Sequence, residues 1–178
     1  MVEPASYIRP VTSRDRASFL AAMHASRRLH HPWIAPPLND RAFDQYLARI
    51  AGDDHAGFLI CRMDDDAIAG VVNLNGIMRG SFQCASLGYY ACIDSVGRGY
   101  MTSGLKLVVR HAFEELELHR LEANIQPTNA RSIALAKRCG FRLEGLSPRF
   151  LFIDGAWRDH ERWAIYDERD TLHAAHRG

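Results

Sequence analysis

The spacing of apolar side chains changes along this chain, and each change marks an expected element. Tyr7 to Val11 suits a first strand. From Ser13, a plausible N-cap, to His31 the apolar positions Phe19, Leu20 and Met23 follow a helical spacing that stops at the proline-rich HHPWIAPP. A second helix is expected from Asp40, with Phe43, Tyr46, Leu47 and Ile50 on one face, and the two helices together predict a lid over a sheet. GFLICRM and AIAGVVNLNGI are β-rich runs separated by Asp64, Asp65 and Asp66. Three adjacent carboxylates cannot all aim at one ion, so this triplet reads as a hairpin turn rather than a metal cluster. Phe82 to Ile93 predicts another strand, with Leu87, Tyr89 and Ala91 on one face, Gly88, Tyr90 and Cys92 on the other, and both faces partly buried.

The clearest helix is expected from Gly99 to Leu118, where Leu105, Val108, Val109, Ala112, Phe113 and Leu116 form a continuous stripe. RLEANIQ then reads as a strand, NARSIALAKRCG as a helix stopping at Gly140, and FRLEGLS as a strand. RFLFIDGAWRDHERWAIY closes the chain as a hairpin turning at Asp154-Gly155. Strands first, then strand and helix in alternation, predict a mixed α/β sheet flanked by helices. The 178 residues, 47% hydrophobic and 24% charged, carry neither repeat nor low-complexity linker, so a single domain over 1–178 is expected.

Composition narrows the functional classes. Twenty-two Lys and Arg against 21 Asp and Glu give a formal charge of +1, which supplies no overall field for nucleic acid or an anionic membrane. Cys61, Cys84, Cys92 and Cys139 form no CxxC pair, which points to a reducing compartment. No run approaches the ~18 to 20 apolar residues of a membrane span, and the start MVEPASYIRP does not resemble a signal peptide. A cytoplasmic location follows as the expectation. No G-x-S-x-G elbow, HExxH pair or informative Cys-His spacing is present, which ranks covalent hydrolysis and zinc chemistry low and leaves no metal expected. Of the nine histidines, His30, His31, His173 and His176 flank prolines or lie in a polar tail, and His160 reads either as a substrate contact or as the end of the hairpin.

SVGRGYMTSGL carries the strongest local chemistry. Gly97 and Gly99 let a strand bend into a helix so that successive amides converge on an anion at the positive end of the helix dipole. Gly104 follows five positions after Gly99, and no GK[ST] follows, so neither the dinucleotide fingerprint nor a P-loop is present. By itself the bend reads equally as a structural turn or as a phosphate cradle. Arg98 on it reads as a phosphate contact or as a solvated surface arginine.

Asp94-Ser95-Val96-Gly97-Arg98-Gly99 resembles the R/Q-x-x-G-x-G/A turn of GNAT acetyltransferases, with Asp94 in place of the usual Arg or Gln. LHRLEANIQPTNARSIALAKRCGFRLEG resembles the second GNAT signature, a strand, an N-x-x-S helix and a K-x-G-F exit, here Lys137 to Phe141 with one extra residue. The closing I-D-G-x-W-R-D-H block resembles the ribosomal-protein alanine acetyltransferases of RimJ type, with Phe150 where tyrosine is common. The resemblance implies a GNAT fold with a sheet of about seven strands and acetyl-CoA as co-substrate. It implies transfer of acetyl to a protein N-terminus, with a small-molecule amine or a silent acyl-CoA sensor as alternatives. Oligomeric state is not legible.

The resemblance also implies roles. Val96, Gly97, Arg98, Gly99, Tyr100, Met101 and Thr102 would hold the diphosphate, with Lys137 nearby. Ala91, Cys92 and Ile93, on a strand that this family splays, would meet the pantetheine and the oxyanion. Asn129 and Ser132, three apart on one helix face, would contact the pantetheine arm and the thioester sulfur; without the glycine bend they read as an N-cap and an ordinary helical serine. Glu122 is the expected base, with a water held at Ser86 as the alternative; it also reads as a strand glutamate that faces solvent or pairs with an arginine. Trp33, Ser86, Tyr89 and Phe150 would line the acceptor cleft, although core packing suits at least two of Trp33, Phe150, Trp157 and Trp163 better.

Overall fold

The computed structural model describes residues 4–169. Its elements run β1 (Ser6–Pro10), α1 (Arg16–Ala25), α2 (Arg27–His30), α3 (Asp40–Ile50), β2 (His55–Arg62), β3 (Ile68–Met78), β4 (Cys84–Ala91), α4 (Tyr100–Glu114), β5 (Arg120–Ile125), α5 (Ala130–Arg138), β6 (Arg142–Ile153) and β7 (Ala156–Tyr166). One seven-stranded sheet has the order β1-β2-β3-β4-β5-β7-β6, antiparallel throughout except for the parallel pair β4–β5.

Two apolar clusters cover the two faces. Phe19 and Met23 of α1 and Phe43 and Tyr46 of α3 pack on Leu59, Cys61, Val71 and Tyr90. On the other face Leu105, Val108 and Ala112 of α4 and Leu135 and Ala136 of α5 pack on Ile60, Val72, Leu74, Leu121 and Ala123. Burying these stripes on the sheet is the main drive of the fold, at ~25 cal/mol per Å² of apolar surface removed from water. Gly104 lets α4 approach β2 closely, because a methyl group there would overlap the Ile60 side chain.

Several expected boundaries move. The first helix is preceded by a 3-10 turn at Ser13–Asp15 that begins after Thr12, not at Ser13, because the Asp15 carboxylate accepts from both the Thr12 amide (2.8 Å) and its hydroxyl (3.0 Å). The expected single helix to His31 breaks at Ser26, whose hydroxyl donates back to the Ala22 carbonyl (2.7 Å). Asn39 caps α3 by accepting from the Ala42 amide (2.9 Å). Phe82 lies ahead of β4 and is 66% exposed, and α4 ends at Glu114, short of Leu118.

The Asp64–Asp66 turn is tied internally. Arg62 pairs with Asp64 and Asp65, and Tyr7 donates to Asp66. The two strands expected around Ser147 form one strand, β6, with register shifts between Leu143 and Gly145 and between Ser147 and Leu151. All four cysteines are buried thiols outside any disulfide. Among the described residues no helix is long and apolar enough to cross a membrane. His173 and His176 lie outside the described residues.

Candidate active site

The β4–β5 ladder stops early. Four pairs run from Cys84↔Arg120 to Leu87↔Ala123, while β4 continues to Ala91 and β5 to Ile125 with no further pairing between them. A gap therefore opens in mid-sheet, at the C-terminal ends of two parallel strands, where open α/β sheets hold ligands. On the β3 side the Cys92 amide donates to the Ala69 carbonyl (2.9 Å), which makes Gly70↔Ala91 a non-hydrogen-bonded pair. Ala91 therefore turns its main-chain amide and carbonyl toward the gap, and so does Tyr89 two residues earlier.

Of the three residues expected to meet an oxyanion, only Ala91 keeps this orientation. The Cys92 amide is committed to β3, and the Ile93 amide donates to Ser26 Oγ (3.0 Å). The Ala91 carbonyl is taken by the lid. His30 Nε2 lies 2.8 Å from it and must be the donor, since a carbonyl only accepts. Ser26 and His30 are both buried, so the α1–α2 break holds the free end of β4. Sequence reasoning passed over both; their one signal was a serine inside an apparently continuous helix.

Beyond β4 the chain makes a 3-10 turn at Ile93–Ser95 and then the glycine bend. Gly97 (φ 77°) and Gly99 (φ 87°) are left-handed, a region that other residues enter at a cost of ~1–2 kcal/mol. Nothing lies within 4 Å of where a Gly97 side chain would begin, so this corner of the bend is open. Gly99 is the N-cap of α4, and the amides of Tyr100, Met101 and Thr102 in the first turn have no carbonyl four residues behind them. The expected Val96 contact needs correction, because its amide already donates to the Ile93 carbonyl (3.3 Å). Asp94 and Arg98 are exposed. Tyr100 is buried at the helix start with the Arg62 guanidinium over its ring at 5.6 Å, and Met101 packs into the core beneath.

Across the gap stands α5. Asn129 is its N-cap and accepts from the Ser132 amide (3.2 Å), so its carbonyl oxygen serves the helix. Ser132 Oγ donates to Tyr89 Oη (2.9 Å), and Tyr89 Oη donates to the Ser132 carbonyl (3.3 Å). The two hydroxyls thus form a pair that spans the opening. Burial pushes the Tyr89 phenol up to about 12, which keeps its proton in place at neutral pH.

Lys137, expected beside the bend, instead lays its ammonium over the Trp163 ring at 5.5 Å. Its neighbour Arg138 takes the place near the bend, with Nε donating to Thr102 Oγ1 (3.4 Å). Counting K-x-G-F back from Gly140-Phe141 lands on Arg138, so the extra residue of the motif was the missed signal.

On the sheet face opposite α4 and α5, Ser86 and Glu122 are register partners. Glu122 is not a free carboxylate: it accepts from Arg120 Nε (2.8 Å) and Arg162 Nη2 (3.3 Å). Ser86 Oγ accepts from Asn124 Nδ2 (3.3 Å). Phe150 meets buried His160 edge-on at 6.2 Å, so His160 packs inside the hairpin. Trp33 is half-buried in the turn after α2, its amide on the His30 carbonyl (2.8 Å).

The family model described as Acetyltransferase (GNAT) domain matches residues 7–142. The chain belongs to the GNAT acetyltransferase family. A Bacillus subtilis protein named Probable N-acetyltransferase YjcK is 32% identical over 172 residues, covering 92% of this chain and 95% of its own. The [ribosomal protein uS5]-alanine N-acetyltransferase of Escherichia coli is 40% identical over 102 residues, 57% of this chain, and the match spans about half of that enzyme (53%). Mycobacterium smegmatis RimJ, solved in complex with CoA-disulfide, superposes with a TM-score of 0.84 at 29% identity, covering 98% of this chain and 90% of that one. This GNAT domain is therefore that of an N-acetyltransferase related to ribosomal-protein acetyltransferases, and also to a spermidine N(1)-acetyltransferase of Vibrio cholerae at 21% identity over 160 residues.

Proposed function

We propose that this protein transfers the acetyl group of acetyl-CoA to the α-amine of a protein N-terminus, of the kind presented by a ribosomal protein that begins with alanine. The observation that carries the reading is the β4–β5 gap, with a left-handed glycine bend at one end and the Ser132–Tyr89 hydroxyl pair across it. Its shape fits a thioester arm led in from a diphosphate. The coenzyme bound to the M. smegmatis relative supports acetyl-CoA as co-substrate, and the E. coli uS5-alanine enzyme supports the acceptor.

In this reading the amides of Gly97 to Thr102 and the Arg138 guanidinium hold the diphosphate. The Ala91 amide donates to the thioester oxygen as it gains charge. A protein α-amine has a pKa of about 8 and is mostly protonated at neutral pH. It first gives one proton to a water held at Ser86, from which the proton passes to solvent. The neutral nitrogen's lone pair then forms the C–N bond, the C–S bond breaks, and the sulfur leaves as thiolate. Ser132 Oγ hands its proton to the sulfur and is resupplied by Tyr89 Oη, which regains a proton from solvent as the thiol departs, and the acetylated nitrogen releases its surplus proton through the same water. Glu122 holds Arg120 and Arg162 in place.

A second reading, a small polyamine as acceptor, is favoured by the Vibrio cholerae spermidine relative. Free-thiol release with alanine-starting peptides and a panel of small amines separates the two. The first reading expects a peptide to have the highest kcat/KM, and a preference for spermidine over every peptide overturns it. Tight coenzyme binding with no transfer to any acceptor supports a silent sensor instead.

A further inference from the structure

Among the described residues, two polar atoms beside the gap are sealed from solvent and have no hydrogen-bond partner: Asn124 Oδ1 and Arg162 Nε. Asn124 and Arg162 are register partners across β5 and β7, so their side chains rise from the same face of the sheet. Asn124 lies one residue past Ala123, the last residue of β5 paired to β4, and therefore at the lip of the opening. The remaining ends of both side chains are engaged, Asn124 Nδ2 with Ser86 Oγ and Arg162 Nη2 with Glu122. A buried acceptor and a buried donor on register-paired residues of neighbouring strands, neither answering the other, mark a place for a group that both donates and accepts.

We propose that this pair reads the first residue of the acceptor: Asn124 Oδ1 accepts a hydrogen of the attacking amine, and Arg162 Nε donates to the carbonyl of the same residue. The inference rests on the acetyl-transfer reading and adds the determinant of acceptor class. The first residue of a peptide carries an amine donor and a carbonyl acceptor two bonds apart along the main chain, in the complement of what the pair offers. A polyamine carries amine donors only and sets an N–H against the Arg162 N–H. Asn124 has no basic lone pair, so it orients the amine without taking a proton and leaves the nitrogen lone pair to face the thioester. Entry requires the Arg162 side chain, 42% exposed, to swing its outer end away from Glu122.

The test compares kcat and KM for an alanine-starting peptide, for the same peptide with its first amide replaced by a trans-alkene, and for spermidine. Wild-type enzyme prefers the parent peptide over the alkene by about tenfold or more in kcat/KM, the size expected when a buried donor loses its acceptor. Arg162→Lys, which keeps the charge and removes Nε, erases that preference. Asn124→Leu raises KM for the peptide and leaves KM for acetyl-CoA unchanged. Equal kcat/KM for parent and alkene peptides in the wild type overturns the proposal and assigns an ordered water to both atoms. That comparison needs no variant, so it stands even where a substitution impairs folding. Failure of the underlying reading looks different: no thiol is released with any acceptor. Turnover of spermidine with both peptides inert leaves acetyl transfer standing and removes the pair's role.

Discussion

Ser132 and Tyr89 carry the sharpest single-residue expectation. Their hydroxyls bridge the gap at 2.9 Å, and the Tyr89 phenol keeps its proton until about pH 12. Replacing Ser132 with alanine should lower kcat by ~10²-fold, the low end of what general acids contribute, with acetyl-CoA affinity almost unchanged. Single-turnover thiol release together with calorimetry of coenzyme binding checks this, and an unchanged kcat removes Ser132 from the chemistry. Arg138→Ala should weaken coenzyme binding by ~1 kcal/mol, about fivefold, since this guanidinium is solvent-exposed and screened. Lys137→Ala should leave coenzyme affinity unaltered, because its ammonium faces Trp163. The exchange of these neighbours shows what motif reading loses. Spacing told that a cation follows the N-x-x-S helix, but one inserted residue turns a helix by ~100° and decides which of two basic side chains faces the bend.

At the scale of elements, legibility followed locality. The stripes of α3 and α4 and the Asp154-Gly155 hairpin were readable because neighbouring residues decide them. The break at Ser26 was less so: its hydroxyl donates locally to Ala22, but it also accepts from the Ile93 amide, 67 residues away, and that second bond no local pattern announces. The β4–β5 gap was expected only by resemblance, because where two strands part is a matter of register between distant segments. Two predictions belong here. Gly104→Ala should destabilise the fold by ~1–3 kcal/mol as its methyl forces α4 off Ile60, measurable as a lowered urea midpoint. His30 should make stability fall on the acid side. Burial lowers its pKa below the ordinary 6.5, against the opposing hydrogen bond to Ala91. Below pH 6.5 the unfolded chain therefore binds a proton that the fold resists, so the contribution is complete above that pH and declines as pH falls. His30→Gln, which keeps an amide donor for Ala91, should flatten the stability profile below pH 6.5 relative to wild type, and an identical slope in both proteins contradicts the assignment.

Over the whole molecule, the sheet divides the work. In the proposed reading the α4–α5 side, with the glycine bend, Arg138 and Ser132, would face the coenzyme, and the opposite side, with Ser86, Asn124 and Arg162, would face an acceptor. In that reading the gap joins the two sides and lets a thioester and an amine approach from opposite directions. The near-neutral chain, with its charge of +1, adds no long-range field for drawing in an acceptor, so recognition rests on contacts at the opening. A crystal structure with coenzyme A at saturating concentration tests this arrangement most directly. The account predicts diphosphate oxygens within hydrogen-bonding reach of the main-chain amides between Gly97 and Thr102, and the sulfur between β4 and β5 beside Ser132. Coenzyme bound elsewhere, or this bend left empty, contradicts it.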